Sequence, residues 1–196
     1  EQAARRLPEA VGLRDAHCAE LADGLLVFLA DRLKVHLRDE GVRHDHIAAV
    51  LALTVEDDLV RLRERVAALR TFLESEDGAN LLIAYRRARN LVHLEEKKDE
   101  ASYDGAVVEA QLVEASEKAL YARLQEVRKL AEAALKGEEF EVAMAALARL
   151  RVPVDAFFDD VTVNADDKAL RKNRLHLLGE IRRTLEAVAD FSKVEG

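Results

Sequence analysis

Cysteine is almost missing from this sequence. Cys18 stands alone among 196 residues, so no intrachain disulfide can form and nothing suggests a stapled secreted scaffold. Proline occurs twice and glycine eight times, too rarely to punctuate a chain of short strands and turns. Long apolar runs are absent as well. The longest strongly apolar stretch, residues 25–30, is cut by Asp31 and Arg32, far short of the ~20 residues that span a bilayer. The opening Glu1-Gln-Ala-Ala-Arg-Arg lacks signal-peptide order and has no Met, which leads us to expect a cytoplasmic fragment of something longer. There is no phosphate-cradling glycine loop, no dinucleotide fingerprint and no nucleophile elbow, so no catalytic residue is expected. His44 and His46 lie two apart, on different faces of any helix, and no His pair is spaced by four. The run Arg43-His-Asp-His46 is therefore expected to hold no metal, with Asp45 acting as a helix N-cap.

Ala, Leu, Glu and Arg dominate, and 35% of the residues are charged. That mixture makes solvated helices around an aliphatic core, so the expected class is all-α. Apolar spacing predicts a first helix over about 16–39, with Gly41 placed to stop it, and a short one over 45–53. Thr54 with Asp57 is a capping-box-like start for the helix carrying Leu59, Leu62, Val66, Leu69, Phe72 and Leu73. Residues 75–78 break it. The next helix, 79–98, is apolar almost all round and is expected to be buried centrally. Further helices are predicted over 113–136, with Gly137 as its cap, and over 138–150. Pro153 suits the first turn of one ending near Val161, and Asp166 reads as the N-cap of a last one running to about 190. Short connections imply antiparallel neighbours in a bundle of about six to eight helices. Residues 1–53 read as lead-in helices and 54–196 as the bundle proper.

The net charge of −8 argues against a general nucleic-acid binder, but not against a local one. Residues 171–183 carry Arg171, Lys172, Arg174, Arg182 and Arg183 against Glu180 alone, whereas 95–117 is strongly acidic. Arg174 falls among Leu170, Leu177 and Ile181 on the face that should be buried, where a guanidinium needs a partner. That partner is either Asp155, Asp159 or Asp160 on the preceding helix, or a phosphate or base edge reaching into a cleft. Asn173, with Arg171, Lys172, Arg182 and Arg183, points to other faces and reads as a solvated surface or, taken together, as an electrostatic footprint. Arg87 and Asn90, flanked by Arg86 and Arg89, lie in the apolar 79–98 helix. There an Asn amide satisfies a neighbouring carbonyl or reads the pairing edge of an unpaired base. Phe157 and Phe158 read as core aromatics.

Longer patterns carry a resemblance. Pro153-Val-Asp-Ala-Phe-Phe-Asp-Asp-Val-Thr-Val163 followed by Leu170-Arg-Lys-Asn-Arg-Leu-His-Leu-Leu178 resembles the C-terminal region of the bacterial-type glycyl-tRNA synthetase β subunit. The stretches Phe28 to Lys34, Gly41 to Asp45, Glu76 to Leu82, Tyr85 to Asn90 with Glu95 to Lys98, and Val188 to Ser192 fit the same family in the same order. The resemblance implies a helical anticodon-binding domain related to that of arginyl-tRNA synthetase. It also implies a heterotetramer of two α and two β subunits, with the rest of the β subunit and the α subunit as partners. Glycine, ATP and magnesium would act at the α subunit, with no cofactor in this region, and glycine tRNA would be held here by its anticodon. Arg87, Asn90, Arg171, Lys172, Asn173 and Arg174 are the expected contacts, with the acidic 95–117 stretch facing away. Two rival readings are a helical protein–protein interaction module without RNA binding, and a degenerate metal-dependent phosphohydrolase resting on His44 and Asp45.

Overall fold

The computed structural model describes residues 7–53 and 58–195. Among these are eight α-helices, two 3₁₀ turns and no strand. Helix α1 spans Leu7–Asp39 and α2 His44–Leu51. Gly41 adopts φ +80°, and the amides of Gly41 and Val42 bond back to the carbonyls of Arg38 and Leu37. This is the left-handed cap expected of a glycine just past a helix end.

Helix α3, Leu59–Glu74, is capped by Asp58, whose carboxylate accepts from the amides of Val60 (2.9 Å) and Arg61 (3.2 Å). The expected Thr54–Asp57 start lies outside the described residues. Ser75 ends α3 and opens α4, Glu76–Asp99: its hydroxyl donates to the Phe72 carbonyl (2.6 Å) and accepts from the Gly78 amide (3.0 Å). A Cβ at residue 78 would stand 1.9 Å from the Phe72 oxygen, so only glycine allows so sharp a corner.

Then follow α5 (Ala115–Lys136), α6 (Phe140–Ala148), α7 (Arg151–Asp160) and α8 (Lys168–Glu186). The α8 N-cap is Asp167, not Asp166; its carboxylate accepts from Ala169 and Leu170 amides at 2.8 and 3.1 Å. Asp45 is likewise not an N-cap. It is buried inside the first turn of α2, where it pairs with Arg43 (2.6 Å) and accepts from the Glu195 amide (2.8 Å).

The core is one aliphatic cluster, with Leu81, Tyr85, Leu120, Leu124, Leu147, Phe157, Leu175, Leu178 and Phe191 sealed from solvent. Helix α4 packs on α3, α7 and α8, and α5 on α6, α7 and α8. One expectation fails here. The α4 helix is not buried all round, since Ile83 and Leu94 are 63% and 62% exposed. On α1, Leu21, Leu25 and Phe28 are also exposed, with Leu37 the buried anchor beside α2. Period alone cannot distinguish a stripe that is covered from one that is not.

Candidate nucleic-acid interface

Helix α8 bears the densest positive charge, and most of it is already engaged. Arg174 is buried with Glu117 of α5: its Nε donates to Oε1 at 2.5 Å, and Nη1 donates to the Thr162 carbonyl at 2.8 Å. Glu117 is wholly buried, and its other oxygen accepts from the Val113 and Glu114 amides at 2.7 and 2.8 Å. The partner is thus neither Asp155, Asp159 nor Asp160. Those residues lie on α7 itself, whereas the guanidinium runs under the α7–α8 connection to α5.

Arg171 donates to Glu95, to Asp99 (2.6 Å), to Asn164 Oδ1 (3.1 Å) and to the Tyr103 hydroxyl (3.3 Å), tying α8 to α4. The hydrogen bond to Asp99 is the main reason its pKa is raised. Burial drives Glu95 upward, but hydrogen bonds from Arg171 and Asn164 reverse the shift and hold the carboxyl below its usual range. Asn173 is buried and closes a two-point pairing with the backbone of Val108, accepting from its amide (2.7 Å) and donating to its carbonyl (3.0 Å). Arg182 pairs with Asp104, while Arg183 pairs with Glu180 (2.6 Å) and Asp104 (3.5 Å). Of the cations at 171–183, Lys172 alone is exposed with no hydrogen bond or ion pair among the described residues.

The acidic stretch is therefore not turned away from this helix but laid over it. Residues 100–114 form a strap across α8, sealed by buried Tyr103 and Leu112. The strap approaches so closely that a Cβ on Gly179 would stand 2.5 Å from the Tyr103 carbonyl oxygen. His176 lies beneath it, its Nδ1 3.0 Å from the Ala106 carbonyl; burial is the main cause of its lowered pKa.

Positive charge of a different character lies on α4. Arg87, Arg89, Asn90, His93, Leu94, Lys97 and Lys98 are exposed, and Arg86 is half-buried, donating to the Val194 carbonyl at 2.8 Å. Between residues 79 and 98 the only carboxylates are Glu95 and Glu96. Glu95 points inward to Arg171, and Glu96 accepts from the Tyr103 amide at 3.1 Å. Of the exposed cations on this helix Lys98 alone meets an acid, Glu95 at 3.7 Å, so the rest of the outward arc carries cations, an amide and two aliphatic side chains without an ion-pair partner among the described residues. Among the described residues Arg89, Asn90, His93 and Lys97 have no hydrogen-bond or ion-pair partner. Arg87 lies over the ring of Phe158, 4.1 Å from its centroid, and Phe158 is half-buried at the surface, whereas Phe157 is core.

The structure thus separates the six expected contacts. Arg87 and Asn90 share the open α4 arc, Lys172 is exposed on α8, Arg171 is a clamp, and Asn173 and Arg174 are internal. Arg89, His93 and Lys97 were not among the six. The signal for them is a lack of acid at outward positions of one helix, which composition averaged over the chain conceals. Among the described residues no group of His, Cys, Asp and Glu side chains is arranged to hold a metal ion.

An all-helical bundle with an exposed cationic, amide-bearing face on α4 suits an unpaired nucleic-acid strand. Residues 81–194 match the DALR anticodon binding domain, and the chain belongs to that family. Similar proteins include glycine–tRNA ligase β subunits. That of Rhodospirillum centenum is 57% identical over 173 residues, covering 88% of this chain and 24% of its own length. That of Cereibacter sphaeroides is 46% identical over 172 residues, 88% of this chain and 25% of its own. The protein of Ruegeria sp. strain TM1040 is 44% identical over 190 residues, 95% and 28%. The chain spans about a quarter of the length of these relatives. The resemblance seen in the motifs holds, and a protein-interaction module without RNA binding is not favoured.

Proposed function

We propose that this chain recognises the anticodon loop of glycine tRNA on the outward face of α4, between the end of α7 and the C-terminal tail. The observation that carries this reading is the exposed α4 arc of Arg87, Arg89, Asn90, His93 and Lys97, none of which has a carboxylate partner among the described residues. Cations there meet phosphates and supply affinity, while Asn90 and the exposed Ile83 and Leu94 meet bases. Lys172 adds a contact from α8. Arg171, Asn173 and Arg174 contribute indirectly: they fix α8, the strap and α4 in register, so the open face is presented as a rigid surface.

The chemistry follows from position. Holding one end of the tRNA sets where its distant acceptor end falls, so only a cognate loop brings the substrate to an active site elsewhere. In a glycine–tRNA ligase, glycine and ATP with magnesium would be handled by the α subunit of an α2β2 assembly, in the cytoplasm. The rest of the β subunit would join this region to it. Within the chain, residues 1–53 would serve as lead-in and 54–196 as the binding domain, although α2 is sewn to the bundle through the Asp190 amide and the Ala49 carbonyl (2.9 Å).

The test is a titration of glycine tRNA against an anticodon-swapped tRNA over a range of salt. Arg89→Glu with Lys97→Glu is expected to weaken glycine tRNA binding roughly tenfold or more. The same change should lower the salt dependence by about 0.7–0.9 in log–log slope for each phosphate the variant no longer neutralises. Arg182→Ala, which removes a cation already paired, should leave that slope near wild type. Equal affinity for the two tRNAs, or an unchanged slope in the α4 variant, rejects the reading.

A further inference from the structure

Where α4 meets α7 there is a hollow of about 190 Å³, walled by Ile83, Arg87 and Phe158 and rimmed by Asn80, Arg151 and Asp155. We infer that it receives one unpaired nucleobase bearing an exocyclic amino group, stacked on the outer face of the Arg87 guanidinium. This rests on the reading of α4 as the anticodon-loop surface and names what one part of that surface selects.

Three features carry it. The first is a preformed stacking plane. Arg87 has no carboxylate partner among the described residues, yet its Cζ sits over the Phe158 ring, 4.1 Å from its centroid. Phe158 is in turn braced edge-on by the fully buried Phe157, with ring centroids 5.6 Å apart and planes at 71°. A guanidinium stacked on an aromatic leaves its other face for a base, and such stacking is tolerant of which base arrives. Ile83, mostly exposed, forms an apolar wall on the same helix face.

The second feature is polarity at the rim. Asp155 is an acceptor-only group, half exposed. Its nearest cation, Arg151, is drawn off by Asp77 at 2.7 Å and lies 3.8 Å from Asp155. A carboxylate accepts from an amino group on cytosine, adenine or guanine and repels the carbonyl that uracil presents at the corresponding edge. The third is Asn80, half-buried on the same rim with no hydrogen-bond partner among the described residues. Its amide offers a donor and an acceptor for the atoms beside that amino group.

The experiment uses the 196-residue chain and a stem-loop RNA carrying the anticodon loop of glycine tRNA, with each loop base removed in turn. At one position, loss of the base should weaken wild-type binding by roughly fivefold to a hundredfold, and uracil there should bind about as poorly as the abasic site. Arg87→Lys keeps the charge but loses the plane. It and Phe158→Leu should bind intact and abasic RNA nearly alike at that position, with wild-type salt dependence for Arg87→Lys. Asp155→Asn should recover binding of the uracil loop. Circular dichroism checks that each variant keeps its helix content. If abasic substitution costs the variants as much as wild type at every position, the hollow holds no base. If Arg89→Glu with Lys97→Glu weakens RNA binding while this coupling is absent, the hollow alone is rejected. If that double change has no effect either, the α4 surface falls with it.

Discussion

Arg174 was legible as a buried cation needing a partner because its place among Leu170, Leu177 and Ile181 fixes the face it occupies. Which acid answers it was not legible. Glu117 is 57 residues away, and pairing at that range is decided by packing rather than by spacing. Removing the guanidinium leaves Glu117 buried and unpaired, so Arg174→Ala should lower stability by about 3–5 kcal/mol in chemical denaturation. Asp45 gives a pH-dependent counterpart. Burial raises its pKa, but hydrogen bonds from Arg43 and the Glu195 amide outweigh that and bring it from 3.8 to about 2. A carboxyl depressed on folding stabilises above its unfolded value and loses that contribution as the pH falls through the folded one. Stability should therefore drop as the pH falls from 3.8 to about 2, and Asp45→Asn should flatten that part of the profile.

At the scale of elements, helix existence and most ends were written locally, in Gly41, Ser75, Gly137 and the acid before α8. The sidedness of α4 was not. Counting Leu81, Leu82, Ile83, Leu91, Val92 and Leu94 suggests a helix apolar all round, yet Ile83 and Leu94 face out beside the arginines. The acidity of 95–117 is plain in the sequence, but nothing there says that the strap will lie on α8. Its fit can be tested at Gly179, where a methyl group would meet the Tyr103 carbonyl oxygen at 2.5 Å. Gly179→Ala should cost about 1–3 kcal/mol through overpacking. It should also speed hydrogen exchange at the Val108 amide, which Asn173 otherwise holds.

For the molecule as a whole, a net charge of −8 coexists with a cationic arc because the acids and the α8 arginines are spent on one another. The bundle and its family were readable from the motifs, whereas the open face depended on knowing which charges cancel. Not every part of the molecule contributes equally to stability. Leu25→Ala and Phe28→Ala, on the exposed stripe of α1, should each change unfolding free energy by no more than about 0.5 kcal/mol, whereas Phe157→Ala in the core should cost about 3–5 kcal/mol. Amides near residues 20–30 should also exchange with solvent well before those of α8.

The turn at Gly41 has a mechanical corollary. With 33 residues, α1 is a rod of about 50 Å joined to the bundle at one end. A change of about ten degrees in its exit angle would carry the far tip by about 9 Å. The α4 face, at the other end of the lever, would stay where it is.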